Sequence, residues 1–309
     1  MEKTAKCESI LVTGGAGFVG SYLVPALLKW DPSCKILILD NLQRGYREYV
    51  PDDPRVKLVQ VDLKNIDAAD GYFGKANVVF HLASVVGGIE NVFKNEARVF
   101  HDTSLINLNV LSLCKKYESR IRRVVYLSTA CCYPKSRQAL NYKEDGSVAI
   151  NYVKEEDVYP ADPESGYGLA KLQGEQLCEK LLDHDVYHII RLHNLYGPKM
   201  TCDNSSQVIA ALIRKVLMIN KTSSNKGLSV WGSGTQYRDF LFIEDAIRGI
   251  LDVYQQNPRE TRIIQLGSGQ GISMNNLAKC IGKIHSKRYV LDNIQIVSNI
   301  VYLSNLNLY

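Results

Sequence analysis

The stretch "ILVTGGAGFVGSYLVPALL", Ile10–Leu28, decides how the rest of the chain is read. An apolar run ends at Thr13, Gly14, Gly15, Gly17 and Gly20 follow, and helical periodicity takes over from about Gly17. Glycines at this spacing permit a tight turn, let backbone approach a bound group and let a helix pack closely on a strand. The helix start presents unpaired N–H donors and the positive end of its dipole, the combination that holds a phosphate. A strand, a glycine turn and a helix with an anion at its N-terminus are therefore expected here.

Outward from that unit, short β-branched runs recur at Ser9 to Thr13, Lys35 to Asp40, Val56 to Val61, Asn77 to His81, Arg123 to Ser128, Tyr187 to Arg191 and Arg262 to Leu266. The gaps between them are long enough for crossover helices, which predicts an α/β fold with a doubly wound parallel sheet. The second run ends at Asp40, twenty positions after Gly20, where a carboxylate reaches the ribose 2′-hydroxyl of a dinucleotide. An acid there repels a 2′-phosphate, so NAD is favoured over NADP, although Arg44 stands close by. Asp62, placed at the end of the third strand, is a candidate contact for the adenine amine. From Leu192 to Asp239 the rhythm is broken by Gly, Pro, Asn and Ser clusters, and "FLFIEDAIRGILDVYQQ" then resumes it. Residues 1–191, with 240–268 returning to them, are expected to form a Rossmann domain; 192–239 and 269–309 are expected to form a smaller, interrupted second lobe.

Composition excludes several classes. At 309 residues and 46% hydrophobic content the chain can bury a substantial core, and disorder is ruled out. A net charge of only +5 from scattered Lys and Arg argues against a nucleic-acid partner. No apolar stretch approaches the roughly 18 residues of a membrane span, and "MEKTAKCES" lacks a signal-peptide core, so a cytoplasmic location away from membranes is expected. Eight cysteines without C-x-x-C spacing or a paired His motif suggest neither zinc nor a disulfide framework, and most should be buried thiols. His184 and His188, four apart on an expected helix end, lack a third ligand, so no metal is expected.

In "SGYGLAKLQGEQLCEKLL", Tyr167 and Lys171 stand four apart on a helical pattern and project from one face. A lysine near a phenol stabilises the phenolate and makes tyrosine usable as a base near neutrality. The ordered set TGGAGFVG, Asp40, "VDL", "FHLAS", "LSTACCYP", YGLAK, "RLHNLYGP" and "QYRDFLFIEDA" resembles the extended short-chain dehydrogenase/reductase family, specifically its nucleotide-sugar epimerases and dehydratases, over roughly Ile10 to Ala278. The resemblance implies a tightly held NAD, a nucleotide-sugar substrate between the lobes, and a catalytic set at Thr129, Tyr167 and Lys171. The cofactor contacts expected on this pattern are Gly14, Gly17, Phe18, Val19, Gly20, Asp40, Asn41, Asp62, Leu63, Leu82, Ala83, Tyr167 and Lys171. Gly87, Gly88, Asn194 and Arg238 are the matching substrate positions, and helices at Val92 to Lys116 and Glu164 to Leu182 match those that pair relatives into homodimers.

The loop "TACCYPKS" raises a narrower question, whether its two cysteines pack or react. In GDP-mannose 3,5-epimerases and GDP-fucose synthases, which carry similar "S-x-C-x-Y-P" loops after an "H-L-A-x-x-x-G-G" segment, the cysteine matching Cys131 is an acid/base; the segment here is "HLASVVGGI". A thiolate suits this role because oxidising a hydroxyl to a ketone acidifies the neighbouring C–H. Cys132, on the opposite side of an extended chain, is expected to pack. The loop after "NLYGP" reads "KMTCDNSSQVIAAL", with Cys202 and Asp203 near the place of a second acid/base lysine and Gln207 where a fucose synthase carries histidine. The acids of 4,6-dehydratases are replaced by Ala130 and Cys131, and the ending "SNIVYLSNLNLY" implies a shortened lobe. The expected function is an NAD-dependent nucleotide-sugar epimerase resembling GDP-mannose 3,5-epimerases. A UDP-sugar 4-epimerase, another nucleotide-sugar reductase or dehydratase, and a non-catalytic NAD-binding regulatory protein stand as alternatives.

Overall fold

Seven parallel strands form the central sheet, and their order places the chain reversal beside the glycine turn. The computed structural model describes residues 9–138, 141–142, 148–149, 153–203, 206–222, 228–289 and 296–299. The first half runs β1 (Ser9–Thr13), α1 (Gly20–Trp30), β2 (Lys35–Asp40), β3 (Val56–Gln60), α2 (Ile66–Phe73), β4 (Val78–His81), α3 (Ile89–Lys94), α4 (Glu96–Lys116) and β5 (Arg123–Thr129). A short α5 (Lys135–Gln138) and the ladder of β6 (Asn141–Tyr142) with β7 (Val148–Ala149) precede α6 (Gly166–Leu181), β8 (Tyr187–Leu192) and β9 (Asn194–Tyr196). After them come α7 (Val208–Thr222), β10 (Leu228–Trp231), β11 (Tyr237–Phe242), α8 (Ile243–Gln255), β12 (Ile263–Leu266), β13 (Gly271–Ser273), α9 (Met274–Tyr289) and β14 (Ile296–Asn299).

The sheet order is β12-β8-β5-β4-β1-β2-β3. The chain winds outward from β1 through β2 to β3, returns to β4 on the other side of β1, and continues to β12. The switch point between β1 and β4 is where an open α/β sheet leaves a crevice at its strand ends. Alternating strand residues bury both faces. Ile10, Val12, Ile36, Ile38, Val78 and Phe80 pack with Leu23, Leu27, Ile247 and Ile250 of α1 and α8. Leu11, Leu39, Val79, Val124 and Tyr126 pack on the opposite face with α2, α4 and α6 through Phe73, Val110 and Cys178.

Material beyond the sheet makes a smaller unit. Strands β13, β11 and β9 form a three-stranded sheet, and Leu212, Val216, Leu228, Val230, Met274 and Leu277 of α7, β10 and α9 form a separate core. Residues 300–309, on which the expectation of a shortened end rests, lie outside the described residues.

Three boundaries differ from the sequence reading: the helix expected over Val92 to Lys116 is divided at Asn95 into α3 and α4, and two others shift. Helix α1 begins at Gly20 rather than near Gly17, because residues 14–19 are used up in turns, with Gly14 at φ +69°. Strand β3 ends at Gln60, so Asp62 stands in the following turn, where it accepts from the Lys64 N–H. His188 is on the buried strand β8, not at a helix end, while His184 is exposed in the turn before it. The strand assignment follows from the apolar Val186–Ile190 pattern outweighing the four-residue spacing.

Close packing at the turn makes it the most substitution-sensitive part of the sheet. A Cβ on Gly20 would lie 2.4 Å from the Gly15 carbonyl oxygen, whereas one on Gly71, on the exposed side of α2, would meet nothing within 4 Å. Gly20→Ala is expected to destabilise the protein by about 1–3 kcal/mol and Gly71→Ala to stabilise it by about 0.5–1 kcal/mol. Urea unfolding of the two variants against the parent checks both signs.

Candidate active site

The C-terminal ends of β1, β4 and β5 and the first turn of α6 converge at the crevice. Strand β5 delivers Ser128 and Thr129, both buried, and then tightens into one 3₁₀ turn, Ala130–Cys132. Thr129 caps that turn: its Oγ1 accepts from the Cys131 N–H at 3.2 Å. The turn separates the two cysteines. Cys131 is exposed, while Cys132 is fully buried among Tyr133, Val158 and Leu172. Burial pushes the Cys132 thiol well up, which makes it a poor nucleophile.

Helix α6 starts with Ser165 as N-cap, its side chain accepting from the Gly168 N–H. It packs against the cysteine turn so closely that a Cβ on Gly168 would lie 2.1 Å from the Cys131 carbonyl oxygen. This approach brings Tyr167 among three side chains. Burial raises the phenol's pKa and Cys131 adds to the rise, while hydrogen bonds with Ser84 and Thr129 oppose it. One turn on, Lys171 is only 2% exposed. Its ammonium donates to the Leu127 carbonyl at 2.7 Å and sits 4.9 Å from the Tyr126 ring centroid. Burial lowers its pKa to about 8, against the upward pull of Glu175 and Cys178. Desolvation is the largest influence at the phenol, and the ammonium is held one helical turn away on the Leu127 carbonyl.

His81, at the end of β4, bonds Thr13 Oγ1 at 2.8 Å and Asn107 Oδ1 at 3.1 Å. Burial and then the Lys171 charge lower its pKa to about 3, so it is neutral and structural. Asn107 in turn donates to the Ala170 carbonyl at 3.0 Å, joining α4 to α6. His188 is likewise consumed, by Arg123 at 2.8 Å and the Thr261 carbonyl at 2.9 Å. Among the described residues no group of three or more His, Cys, Asp or Glu could hold a metal ion, and no helix is long and apolar enough to cross a membrane.

The expected cofactor positions follow the ends of β1, β2, β3 and β4 and reach the start of α6. Helix α1 has Val19 at its N-cap without a side-chain cap bond, and no acid in its first turn. Its leading N–H groups are thus not neutralised by its own side chains, which suits a pyrophosphate. Asp40, 7% exposed, accepts from the Ala16 N–H at 3.0 Å and the Leu42 N–H at 2.9 Å, bracing the glycine turn; carboxylate oxygens retain further acceptor capacity for a ribose. Phe18 packs edge-on against Tyr22, and Asn41 Oδ1 accepts from the Gln43 N–H. Leu63 is buried in the core, Leu82 and Ala83 hang from Thr13 by their N–H groups, and Gly87 and Gly88 complete the loop into α3.

On the smaller unit, Asn194 donates its amide to the Asp239 carbonyl at 2.9 Å, across β9 and β11. Arg238 donates to the Tyr237 carbonyl; burial raises the pKa of Glu164, just before α6, and the Arg238 charge opposes that rise. Asp239 is occupied by the N–H groups of Ser268 and Gly269 rather than by Arg238. Cys202 is exposed, and the Asp203 N–H donates to Ser206 Oγ.

Residues 10–267 match the family model described as the NAD dependent epimerase/dehydratase family. The chain belongs to that family. It is 28% identical over 289 residues to GDP-mannose 3,5-epimerase 1 of Oryza sativa subsp. indica, covering 92% of this chain and 71% of the relative. Identity to a putative UDP-glucose 4-epimerase of Methanocaldococcus jannaschii is 29% over 272 residues, covering 87% and 79%. Among solved structures, Pal from Bacillus thuringiensis superposes with a TM-score of 0.76 at 26% identity, over 94% of this chain and 86% of that one. The family's cofactor is NAD, and the uncapped α1 start, the glycine turn and Asp40 fit it.

Sequence reasoning missed Ser84, Glu175 and Arg191. Ser84 carried no signal beyond its place in "FHLAS"; Glu175 was marked only by its four-residue step from Lys171.

The Lys171 ionisation is measurable through stability. Between about pH 8 and its ordinary 10.5 the unfolded lysine holds a proton that the folded one has released, so folding gains from this residue as pH rises through that window. Below pH 8 the full burial penalty is present. Lys171→Met is therefore expected to be most favourable relative to the parent below pH 8 and to lose up to about 3 kcal/mol of that relative stability by pH 10.5, as read by urea unfolding of both proteins across the range.

Proposed function

We propose that the protein is an NAD-dependent nucleotide-sugar epimerase that oxidises its substrate transiently to a keto-sugar, in the manner of a GDP-mannose 3,5-epimerase. The observation that carries this reading is an exposed Cys131 on the turn against which the first turn of α6, bearing Tyr167, packs, while its neighbour Cys132 is sealed in the core. The similarity to the Oryza sativa enzyme supports it. Bound NAD supplies the reversible removal of hydride from a sugar carbon. Tyr167, as phenolate, takes the proton of the hydroxyl on that carbon, Thr129 orients the oxygen, and Lys171 stabilises the tyrosine anion electrostatically. The resulting ketone would acidify the adjacent C–H; Cys131 as thiolate removes that proton, and solvent water delivers a proton to the opposite face, inverting the carbon before the hydroxyl is restored.

With GDP-mannose in D₂O, the parent protein is expected to place deuterium in the sugar ring. Cys131→Ala should lower that exchange by at least 100-fold, on the scale of a lost general acid/base, while still permitting reduction of bound NAD. Tyr167→Phe should suppress both, and Cys132→Ala neither. Mass spectrometry of the recovered sugar and absorbance of the reduced cofactor read the two steps; exchange retained in Cys131→Ala rejects the assignment.

A 4-epimerase acting on a UDP-sugar is the second reading. It is favoured by Lys199, the cation in the loop after "NLYGP", which lies 5.0 Å from the Tyr22 ring and 5.5 Å from the Tyr49 ring, engaged with the Rossmann side. Such an enzyme needs only Thr129, Tyr167 and Lys171, and it would epimerise without incorporating deuterium.

Homodimerisation through α4 and α6 belongs to the same proposal. Leu108 and Leu169 on these helices are 46% and 44% exposed, and a shallow hollow lined by Phe100, Leu169, Gln173 and Gln176 lies between them. Light scattering is expected to give a dimer at micromolar concentration, with Leu108→Lys/Leu169→Lys shifting it to monomer.

A further inference from the structure

Behind the cysteine turn, two charged side chains are buried against each other. Arg191 of β8 and Glu175 of α6 are 1% and 4% exposed at their side chains. Arg191 Nε donates to both Glu175 oxygens at 3.0 and 3.2 Å, and Nη2 donates to Oε2 at 2.7 Å. Ser128, the residue before Thr129, also donates its hydroxyl to Glu175. The remaining Arg191 donor, Nη1, bonds the Tyr133 hydroxyl at 3.0 Å and the Glu155 carbonyl at 2.7 Å, and the guanidinium lies 5.2 Å from the Tyr133 ring centroid. Tyr133 follows Cys132 directly and is 1% exposed.

We propose that Glu175 and Arg191 are positioning residues that couple the two halves of the site, holding the Cys131 turn through Tyr133 and setting the charge of Lys171 through Glu175. The inference rests on the reading in which Tyr167, Lys171 and Cys131 carry the chemistry. Its physical basis is that a desolvated carboxylate acts strongly on a buried cation four residues away on the same helix. Lys171 faces Glu175 and Cys178 from its own helix, the Tyr126 ring from β5 and His81 from β4. Glu175 is the acidic residue of that set, and it is the one tied to the turn.

The test uses Glu175→Leu/Arg191→Met, because replacing a buried pair together by apolar residues preserves folding far better than removing one partner. Two readouts are taken on cooperatively folded protein with NAD present. The first is the stability difference from the corresponding Lys171→Met derivative as a function of pH. Its onset of decline, near pH 8 in the parent, is expected to fall by at least one pH unit in the double variant. The second is iodoacetamide labelling, in which Cys132 is expected to react at least tenfold faster. An onset unchanged at pH 8 in the folded double variant overturns the proposal, since a merely structural pair would leave it there. Should that variant not fold, Tyr133→Phe retains the ion pair and removes its hydroxyl link to the turn. It is then expected to raise Cys131 labelling at least threefold, and unchanged labelling overturns the proposal. Neither readout uses a sugar substrate, so failure of the epimerase reading appears separately.

Discussion

Desolvated charge is the constraint around which this molecule is arranged. Lys171, Glu175 and Arg191 are all buried in the layer between the sheet and α6, where an unpaired charge costs several kcal/mol. Each is therefore surrounded by specific partners: the Leu127 carbonyl and Tyr126 ring for Lys171, Ser128 and Arg191 for Glu175, Tyr133 and the Glu155 carbonyl for Arg191. Satisfying them brings β5, β8, α6 and the cysteine turn to fixed mutual positions. Cys131, on the turn held against the start of α6, stays exposed at the edge of this layer.

The sheet supplies the crevice. Winding from β1 outward to β3 and back to β4 leaves the strand ends open at one place, and the glycine turn, "FHLAS" and Thr129 are all strand-end features that collect there. His81 illustrates how closely that place is built. It hydrogen-bonds β1 through Thr13 and α4 through Asn107, while α4 reaches α6 through the Ala170 carbonyl. Histidine is neutral in this position because burial, and after it the Lys171 charge, disfavours a second cation.

Much of this was legible in the linear chain because the signals are local. Strand β1, the glycine turn and α1 follow from apolar runs and backbone chemistry within Ile10–Leu28, and the placement of Tyr167 beside Lys171 follows from helical geometry alone. The contrast between Cys131 and Cys132 was anticipated from extended-chain alternation, but the separation of an exposed from a buried thiol comes from the 3₁₀ turn Ala130–Cys132. His188 was misread because a four-residue spacing was given weight over the apolar run that contains it.

What the sequence by itself determined is the α/β class with its parallel sheet, the glycine turn after β1 with Asp40 at the end of β2, and the spacing that puts Tyr167 and Lys171 on one helix face. Those depend on periodicity, turn chemistry and spacing of a few residues. Only the tertiary structure decided the environments of those groups: that Lys171 is buried and its pKa lowered, that the Tyr167 phenol is raised and touches Ser84, and that Glu175 meets Arg191. Desolvation and charge pairing arise between segments far apart in the chain, Ser84 from Tyr167 and Tyr133 from Arg191, and no local pattern encodes the distance between them.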